Sequence, residues 1–365
     1  MRLRPIRPSL PLSDMQNSTR AFLLGPLLKG VSRSFYLTMR VLPAGMRDPV
    51  GEAYLLARAA DTIADTALIS PERRLALLLA LRERVNGAAS DDTVLSHLAG
   101  EVAGQQTQSD EKLLLESLGG ALEVLAQLGD ADRAAVREIV TTLTEGMEFD
   151  LRTFPDERSG QVAALRTWDE LDRYTYLVAG CVGEFWTQMT YMHLPGTLAP
   201  ALEQNMYARG IRFGKALQMV NVLRDCGKDL RIGRCYLPAS MLAQAGLGAQ
   251  DLLQPGASAR ARPIMLELVR IALDHFRAAI DYTFALPRRA VRLRLACLWP
   301  ILIGLETLER LVENDDWLNP AKTSKVTRND VYRILACSSA IAPSNALLGV
   351  WFRRLLARVE ARLKG

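Results

Sequence analysis

The sequence predicts an all-α, single-domain helical bundle, and three observations carry that expectation. Apolar residues recur at spacings of three and four over most of the chain after residue 20, and strict alternation of apolar and polar residues is rare. The breaks between periodic stretches, rich in Gly, Pro, Ser or Asp, are too short for domain linkers. In chain order, residues 1–25 read as a tail. Arg2, Arg4 and Arg7 and the few apolar positions there are interrupted by Pro5, Pro8 and Pro11, so no continuous apolar core of a secretory signal forms. The main domain is expected over 26–335. Its first helix carries Tyr54, Arg58, Asp61 and Asp65, spaced four, three and four, and therefore on one stripe. Periodicity returns over 75–85, 113–128 and 134–147, and again from Gln218 to Asp229. There Gly227 marks a close approach or a nearing end, and Gly233 and Pro238 mark the stop. A long helix is expected over 263–284. Residues 336–365 read as a basic amphipathic helical segment. Leu348, Trp351, Phe352, Leu355, Leu356, Val359 and Leu363 lie broadly on one side, and Arg353, Arg354, Arg358 and Arg362 on others. Packing on the protein and peripheral contact with a membrane are both open to such a helix. Breaks are expected at 43–49, 86–92, 105–110, 154–160, 194–200, 246–255 and 318–325.

Composition narrows the function classes. At 365 residues, 49% hydrophobic and 23% charged, the chain suits one large globular domain with room for a deep cavity. No run of about 18 apolar residues occurs, so no membrane span is expected. The five cysteines (181, 226, 235, 297 and 337) form no CxxC pair, which argues against a zinc or disulfide framework and fits a reducing cytoplasm. His97, His193 and His275 stand in unrelated contexts, so a histidine metal site or a catalytic triad has little support. The formal charge of +5 is spread along the chain, which speaks against a nucleic-acid surface. It is compatible with solvated arginines, with anionic substrates or with an anionic membrane face.

Two acidic clusters carry the chemistry. Asp61-Thr-Ile-Ala-Asp65 places two carboxylates four apart, and Asn221, Asp225 and Asp229 repeat that spacing, so each helix offers a row of oxygens. One such pair alone reads equally as a solvated helix face. The second row, however, continues a small and apolar face through Gly214, Gln218 and Asn221, where buried carboxylates without ligands would cost several kcal/mol. Mg²⁺ takes oxygen ligands and is commonly held by one or two carboxylates with waters and substrate phosphates. Two facing rows would clamp a diphosphate through shared Mg²⁺, with Asp61, Asp65, Asn221, Asp225 and Asp229 as the metal-binding set. Arg58, Arg224 and Arg234 lie beside them as forks for phosphate oxygens.

At these residues the chain resembles the squalene and phytoene synthases. The matching segments are Val31-Ser-Arg-Ser-Phe35, Tyr54-Leu-Leu-Ala-Arg58-Ala-Ala-Asp61-Thr-Ile-Ala-Asp65 and Tyr174-Thr-Tyr-Leu-Val-Ala-Gly180-Cys-Val-Gly183-Glu184. The fourth is Gln218-Met-Val-Asn221-Val-Leu-Arg224-Asp225, continuing through Asp229 to Gly233-Arg-Cys-Tyr-Leu-Pro238. The resemblance covers roughly residues 30 to 330 and is most like a bacterial squalene synthase. It implies a terpenoid-synthase helical bundle around a central cavity that joins two farnesyl diphosphates head to head through presqualene diphosphate. It also implies substrate contacts at Ser32, Arg33, Ser34, Phe35, Tyr54, Arg58, Gln218, Asn221, Arg224 and Arg234, and catalytic roles for Tyr174, Tyr176, Arg58 and Arg224. A tyrosine matching Tyr176 lies near the reacting carbons in related synthases. The small side chains from Val178 to Gly183 read by themselves as a close helix contact; the resemblance makes them room for a prenyl chain.

The final quench is the open question. Residues 296–308 followed by Lys325-Val-Thr-Arg328 look like the end of squalene synthases, where basic residues contact NADPH phosphate. Cofactor contacts are accordingly expected at Arg33, Arg58, Arg224, Lys325 and Arg328, with NADPH giving squalene. The alternative is a non-reducing quench to dehydrosqualene, a phytoene-type triene or hydroxysqualene, with Lys325 and Arg328 a solvated loop. Thr327 departs from the pattern, standing where squalene synthases often place Arg. Ala64 and Lys228 stand where eukaryotic ones commonly place Glu. A family pseudoenzyme or assembly factor is a further alternative, but such relatives tend to lose the acidic pairs, and both are intact here. Oligomeric state leaves no trace in the sequence.

Overall fold

The computed structural model describes residues 12–32, 35–88, 100–106 and 108–363, and the side chains of all of these except 12–16, 35 and 37. The chain is helical almost throughout. The first acidic cluster ends helix Ala44–Ala64, which packs on Asp130–Thr153, and that helix also takes Pro71–Val85 on its side. The second ends helix Glu203–Asp229, clasped by Ala257–Ala285 and Cys181–His193. Two apolar cores form, one around Leu55, Leu56, Leu78 and Val136 that also takes in Cys181, Phe185, Met189 and Met206 of the second group, the other around Leu223, Leu268, Phe276 and Leu302. The site lies where they meet.

Several boundaries differ from expectation for local reasons. The tail expected over 1–25 holds a helix, Leu12–Phe22, whose Arg20 pairs with Asp48. The break expected over 43–49 stops at Pro43, and Pro49 is tolerated inside helix Ala44–Ala64. The stretch 113–128 is two helices, Ser109–Glu116 and Leu118–Gln127. Helix Ala257–Ala285 starts before Pro263 and runs through it. Pro71 at the start of Pro71–Val85 follows the usual rule, with Ser70 capping the Arg73 amide. Thr327, the departure from the family pattern, has a structural task. Its hydroxyl accepts from the Asp330 amide and Asp330 answers the Thr327 amide, a reciprocal cap on helix Arg328–Ile341.

The last two helices close one side of the bundle, and residue 336 falls inside Arg328–Ile341. In Asn345–Arg362 the apolar side is spent on packing, with Leu348, Phe352, Leu355 and Val359 buried; Leu347 and Val350 stay exposed. The junction is fastened by the fully buried Arg294. Its guanidinium donates to the carbonyls of Thr283 (3.1 Å), Leu286 (2.7 Å) and Ala342 (2.8 Å) and to Asn345 Oδ1 (2.5 Å). The three carbonyls lie at helix ends, where backbone oxygens run out of partners within their own helices. No helix of the described residues is long and apolar enough to cross a membrane.

Candidate active site

Both acidic rows occupy the C-terminal ends of their helices. Asp61 lies in the last turn of Ala44–Ala64 and Asp65 caps it, its amide returning to the Asp61 carbonyl at 2.9 Å. Asp225 and Asp229 lie at the corresponding end of Glu203–Asp229, Asp229 as its final residue and Leu230 as its cap. A helix C-terminus carries partial negative charge and favours cations, so four carboxylates at two such ends create strong demand for positive charge. In the protein alone, arginines meet part of it. Arg58 donates to Asp61 and to Glu111, each at 2.5 Å; Arg224 forks onto Asp225; and Arg234 reaches Glu157 (3.1 Å), Asp65 (3.7 Å) and Asp150 (4.0 Å).

The remaining demand shows in the carboxyl acidities. Burial, and then the Asp65 charge, raise Asp61 to about 6, although its side chain is 40% exposed toward the cavity. Burial and Asp225 raise Asp229 to about 7, with Asp65 of the opposite helix adding to the effect, so the two rows feel one another. Asp65 is raised by burial and held back by Arg234. Among the described residues no three His, Cys, Asp or Glu side chains converge closely enough to hold a metal by themselves. The donor set therefore suits Mg²⁺ in its usual manner, with a carboxylate or two from each row and the rest from water and a diphosphate.

Two cavities flank the second acidic helix. The first, about 220 Å³, is lined by Asp61, Ala64, Asp65, Asp150, Tyr174, Gln218 and Arg234 at its polar side and by Leu143, Met147, Leu151 and Val178 at its apolar side. The second, about 400 Å³, runs from Asn221 and Arg224 to Trp299 and Pro300, between apolar walls that include Leu217, Ile303, Val331 and Leu335. Gln218 lines the first and Asn221 the second, and Asn221 Nδ2 donates to Gln218 Oε1 at 3.2 Å; Arg58, Asp225 and Asp229 line neither.

Of the expected substrate and cofactor residues, the cavities bring together Asp61, Asp65, Tyr174, Gln218 and Arg234 on one side and Asn221 and Arg224 on the other. Tyr54 turns away, with its hydroxyl 3.4 Å from the Val31 carbonyl. Ser32 is buried and spends its hydroxyl on the Leu28 carbonyl. Arg33, Ser34 and the Phe35 side chain lie outside the described residues. Lys325 and Arg328 are exposed, at the start of the helix whose Val331 and Leu335 wall the second cavity. Tyr174 and Tyr176 part company, since residues two apart on a helix cannot share a face. Tyr174 faces the first cavity, whereas Tyr176 donates to Glu184 at 2.8 Å and lines neither cavity.

The small-residue run needs a correction. It makes a backbone seam against the second acidic helix, not a prenyl space: a Cβ at Gly183 would sit 1.8 Å from the Gly210 carbonyl oxygen, and one at Gly214 would sit 1.9 Å from that of Ala179. Only Val178 of the run reaches the cavity. Gly227 is a close approach as well as near an end, its Cβ position lying 2.2 Å from the Leu318 oxygen.

Sequence reasoning missed Asp150, Glu157 and Tyr236. Asp150 accepts from Tyr236 at 2.8 Å and Tyr174 at 3.4 Å, and those two rings stack at 4.7 Å. Its other oxygen is buried without a partner, and burial raises its carboxyl to about 7. The signal was present: Leu143, Met147, Asp150 and Leu151 form one helical stripe, an acid on an apolar face as in the second cluster. Arg234 is delivered by the one short strand pairing among the described residues, Ala163–Ala164 beside Arg234–Cys235, after a left-handed turn at Gly233.

Comparison with known proteins agrees with this architecture. The family model for squalene/phytoene synthase matches residues 28–330. A bifunctional lycopene cyclase/phytoene synthase of Pyrenophora tritici-repentis is 26% identical over 324 residues, covering 89% of this chain and 49% of that protein. Phytoene synthase 1 of Zea mays is 32% identical over 190 residues, covering 49% of this chain and 43% of its own length. Squalene synthase ERG9 of Gibberella zeae is 24% identical, covering 83% and 61%. The chain thus spans about half or less of the first curated relatives it matches. Among solved structures, TcSQS in complex with the ligand BPH1237 superposes with a TM-score of 0.71 at 21% identity, over 95% of this chain and 99% of that one. A dehydrosqualene synthase superposes with a TM-score of 0.60 at 20% identity, over 91% and 99%. These two likenesses speak to the fold.

Proposed function

Because the chain belongs to the squalene/phytoene synthase family, we propose that it is a Mg²⁺-dependent squalene synthase, joining two farnesyl diphosphates head to head and reducing the product with NADPH. The observation that carries this reading is the pair of cavities on the second acidic helix, one lined by Gln218 with Asp61 and Asp65 of the first row, the other by Asn221 and Arg224 beside the second. A two-substrate condensation needs two apolar seats whose polar ends converge. Asp61, Asp65, Asp225 and Asp229 would hold Mg²⁺, which when bound supplies the positive charge that a departing diphosphate requires.

The chain's own residues do the remainder. Arg58, Arg224 and Arg234 bind and orient phosphate oxygens once these compete for their present carboxylate partners. The allylic C–O bond breaks with its electron pair on diphosphate, and the double bond of the second molecule captures the cation. A proton is lost and its electron pair closes the cyclopropane of presqualene diphosphate. Leu143, Met147, Leu151 and Val178 exclude water from the cations. Tyr174, backed by the stacked ring of Tyr236, offers a π face to the first cavity beside Asp150, worth about 1–2 kcal/mol to a desolvated cation. Lys325 and Arg328 would hold NADPH, which when bound would supply the hydride that quenches the cation left by the second ionisation.

A second reading has its own support. Relatives named phytoene synthase match as well as a squalene synthase does, and a non-reducing quench by proton loss needs no NADPH. Incubation with farnesyl diphosphate and Mg²⁺, with and without NADPH, followed by product identification, separates them. Squalene only with NADPH, and presqualene diphosphate without it, is the expected result. The same desaturated or hydroxylated product under both conditions overturns the reducing assignment.

A further inference from the structure

At one end of the bundle helices Ala257–Ala285 and Arg328–Ile341 finish and helices Val291–Glu313 and Asn345–Arg362 begin, all four fastened there by Arg294. A helix C-terminus carries partial negative charge and an N-terminus partial positive charge. The buried guanidinium answers the two C-termini from inside, through the carbonyls of Thr283, Leu286 and Ala342, while the two N-termini have no acid in their first turns. No acid occurs from Tyr282 to Leu305 or from Val331 to Val359. Most acids that border these stretches are paired: Glu306 and Asp330 with Arg333 (2.9 and 3.2 Å), Glu309 with Arg358 (3.2 Å) and Glu360 with Arg277 (2.7 Å). Asp281 remains, exposed and without an ion pair among the described residues. Against it stand Arg288, Arg289 and Arg292, just past Leu286, and Arg353 and Arg354, two turns into the last helix. All five are exposed, and none has an ion pair among the described residues.

The same end also exposes apolar surface. Leu347 is 54% and Val350 39% exposed, three residues apart and so on one face of the first turns of Asn345–Arg362. A Cβ at Gly349 would lie 3.9 Å from the Phe284 ring, and Phe352 meets that ring with centroids 5.9 Å apart. The last helix therefore begins beside the end of Ala257–Ala285, next to the connection that carries Arg288 and Arg289. A nucleic acid or an acidic protein has no use for the exposed leucine and valine, and a purely apolar partner has none for five free arginines. An anionic bilayer takes both, with lipid phosphates at the level of the guanidinium groups and acyl chains just beneath. Contact is made by this end alone, because the apolar side of the last helix is buried on the protein and no helix of the described residues can cross a membrane.

We propose that this end of the bundle docks on an anionic lipid bilayer, with Arg288, Arg289, Arg292, Arg353 and Arg354 on the phosphates and Leu347 and Val350 inserted among the heads. Docking of this kind is independent of which product the enzyme makes.

The test is flotation of the full-length protein with vesicles of phosphatidylcholine alone and of phosphatidylcholine mixed with phosphatidylglycerol, each variant being checked for folding by circular dichroism and thermal melting. Wild type should float with the anionic vesicles and stay behind with the neutral ones. Near an anionic surface each arginine is worth about fivefold in binding, so Arg288→Ser, Arg289→Ser and Arg292→Ser together should weaken it about a hundredfold and flatten its salt dependence. A control of equal charge, Arg73→Ser with Arg166→Ser and Arg260→Ser, removes exposed arginines of other segments and should lose less than about fivefold. Leu347→Ser with Val350→Ser should weaken binding about tenfold and leave its salt dependence unchanged. Wild type that ignores anionic vesicles overturns the proposal, as does a control that loses as much as the triple variant. Unchanged vesicle binding in the Leu347→Ser, Val350→Ser protein, or single-stranded RNA held as tightly as the vesicles, overturns it in favour of a general polyanion surface. Self-association in light scattering that the same double variant abolishes overturns it in favour of an interface between copies.

Discussion

Glu52 offers the sharpest test of the energetics of the helix that carries the first acidic pair. It is fully buried in Ala44–Ala64, and neither carboxyl oxygen has a hydrogen-bond partner. Burial raises its pKa from the ordinary 4.5 to about 8, against a smaller opposing pull from Arg20. The folded protein therefore holds a proton there that the unfolded chain gives up. The sign follows: the stability associated with this proton is fully present below about pH 4.5, and it is lost as pH rises to about 8. Each tenfold difference in proton affinity between the folded and unfolded chains is worth about 1.4 kcal/mol, so the loss is about 3 kcal/mol at pH 7 and about 4 kcal/mol at pH 8, where the folded acid is itself half ionised. Glu52→Gln keeps the shape of the protonated acid and cannot ionise. Urea unfolding of both proteins at pH 5, 6, 7 and 8 should show a stability gap that widens in favour of the variant. At about 2.1 cal/mol/K per residue, 3 kcal/mol over a chain of this length corresponds to about 4 °C in melting temperature at pH 7. Parallel curves for the two proteins across this range, or a variant less stable than wild type at pH 8, would refute the account of a neutral buried acid.

Further outcomes follow from the site. Asp61→Asn and Asp225→Asn should each reduce turnover of farnesyl diphosphate by at least about a hundredfold, as loss of a transition-state contribution of about 3 kcal/mol requires; near-wild-type turnover in either would dismantle the two-row site. Mg²⁺ at about a hundred times its dissociation constant should stabilise the protein by about 2.7 kcal/mol, a rise of about 3–4 °C in melting temperature, and the Asp61→Asn, Asp225→Asn double variant should lose most of that rise. A wild-type melt indifferent to Mg²⁺ argues against a preformed cation site. Lys325→Ala should raise the KM for NADPH about ten- to a hundredfold and leave that for farnesyl diphosphate nearly unchanged, since one phosphate contact is worth about 1.5–3 kcal/mol; equal effects on both would place Lys325 outside cofactor binding.

The helices and the metal-binding carboxylates are legible in the sequence because each rests on local periodicity. Asp61 and Asp65, and Asp225 and Asp229, declare their shared faces by spacing alone. What escapes depends on contacts far apart in sequence. Arg234 reads as a phosphate fork, but its three carboxylate partners, at 65, 150 and 157, come from other segments. The run around Gly180 and Gly183 allows either a cavity or a seam, because small side chains serve both; only the partner glycines at 210 and 214 decide it. Tyr174 and Tyr176 share one matching segment and so invite a common catalytic role, although helix geometry sends them in opposite directions.

The glycine seam bears on how the enzyme moves. Where the backbones of Gly183 and Gly210, and of Ala179 and Gly214, meet without intervening side chains, sliding by even one residue would drive a side chain into a carbonyl. The segment from Tyr176 to His193 and the second acidic helix must therefore travel as one rigid piece. The first acidic helix is held to that piece as well: Cys181, Phe185 and Met189 share one apolar core with Leu55 and Leu56, Gly45 lies close against His193, and Arg234 reaches across the cavity to Asp65. The Asp225–Asp229 row therefore keeps its register against the Tyr176–His193 segment, and the adjustable part of the site is the side chain that spans the two rows, Arg234.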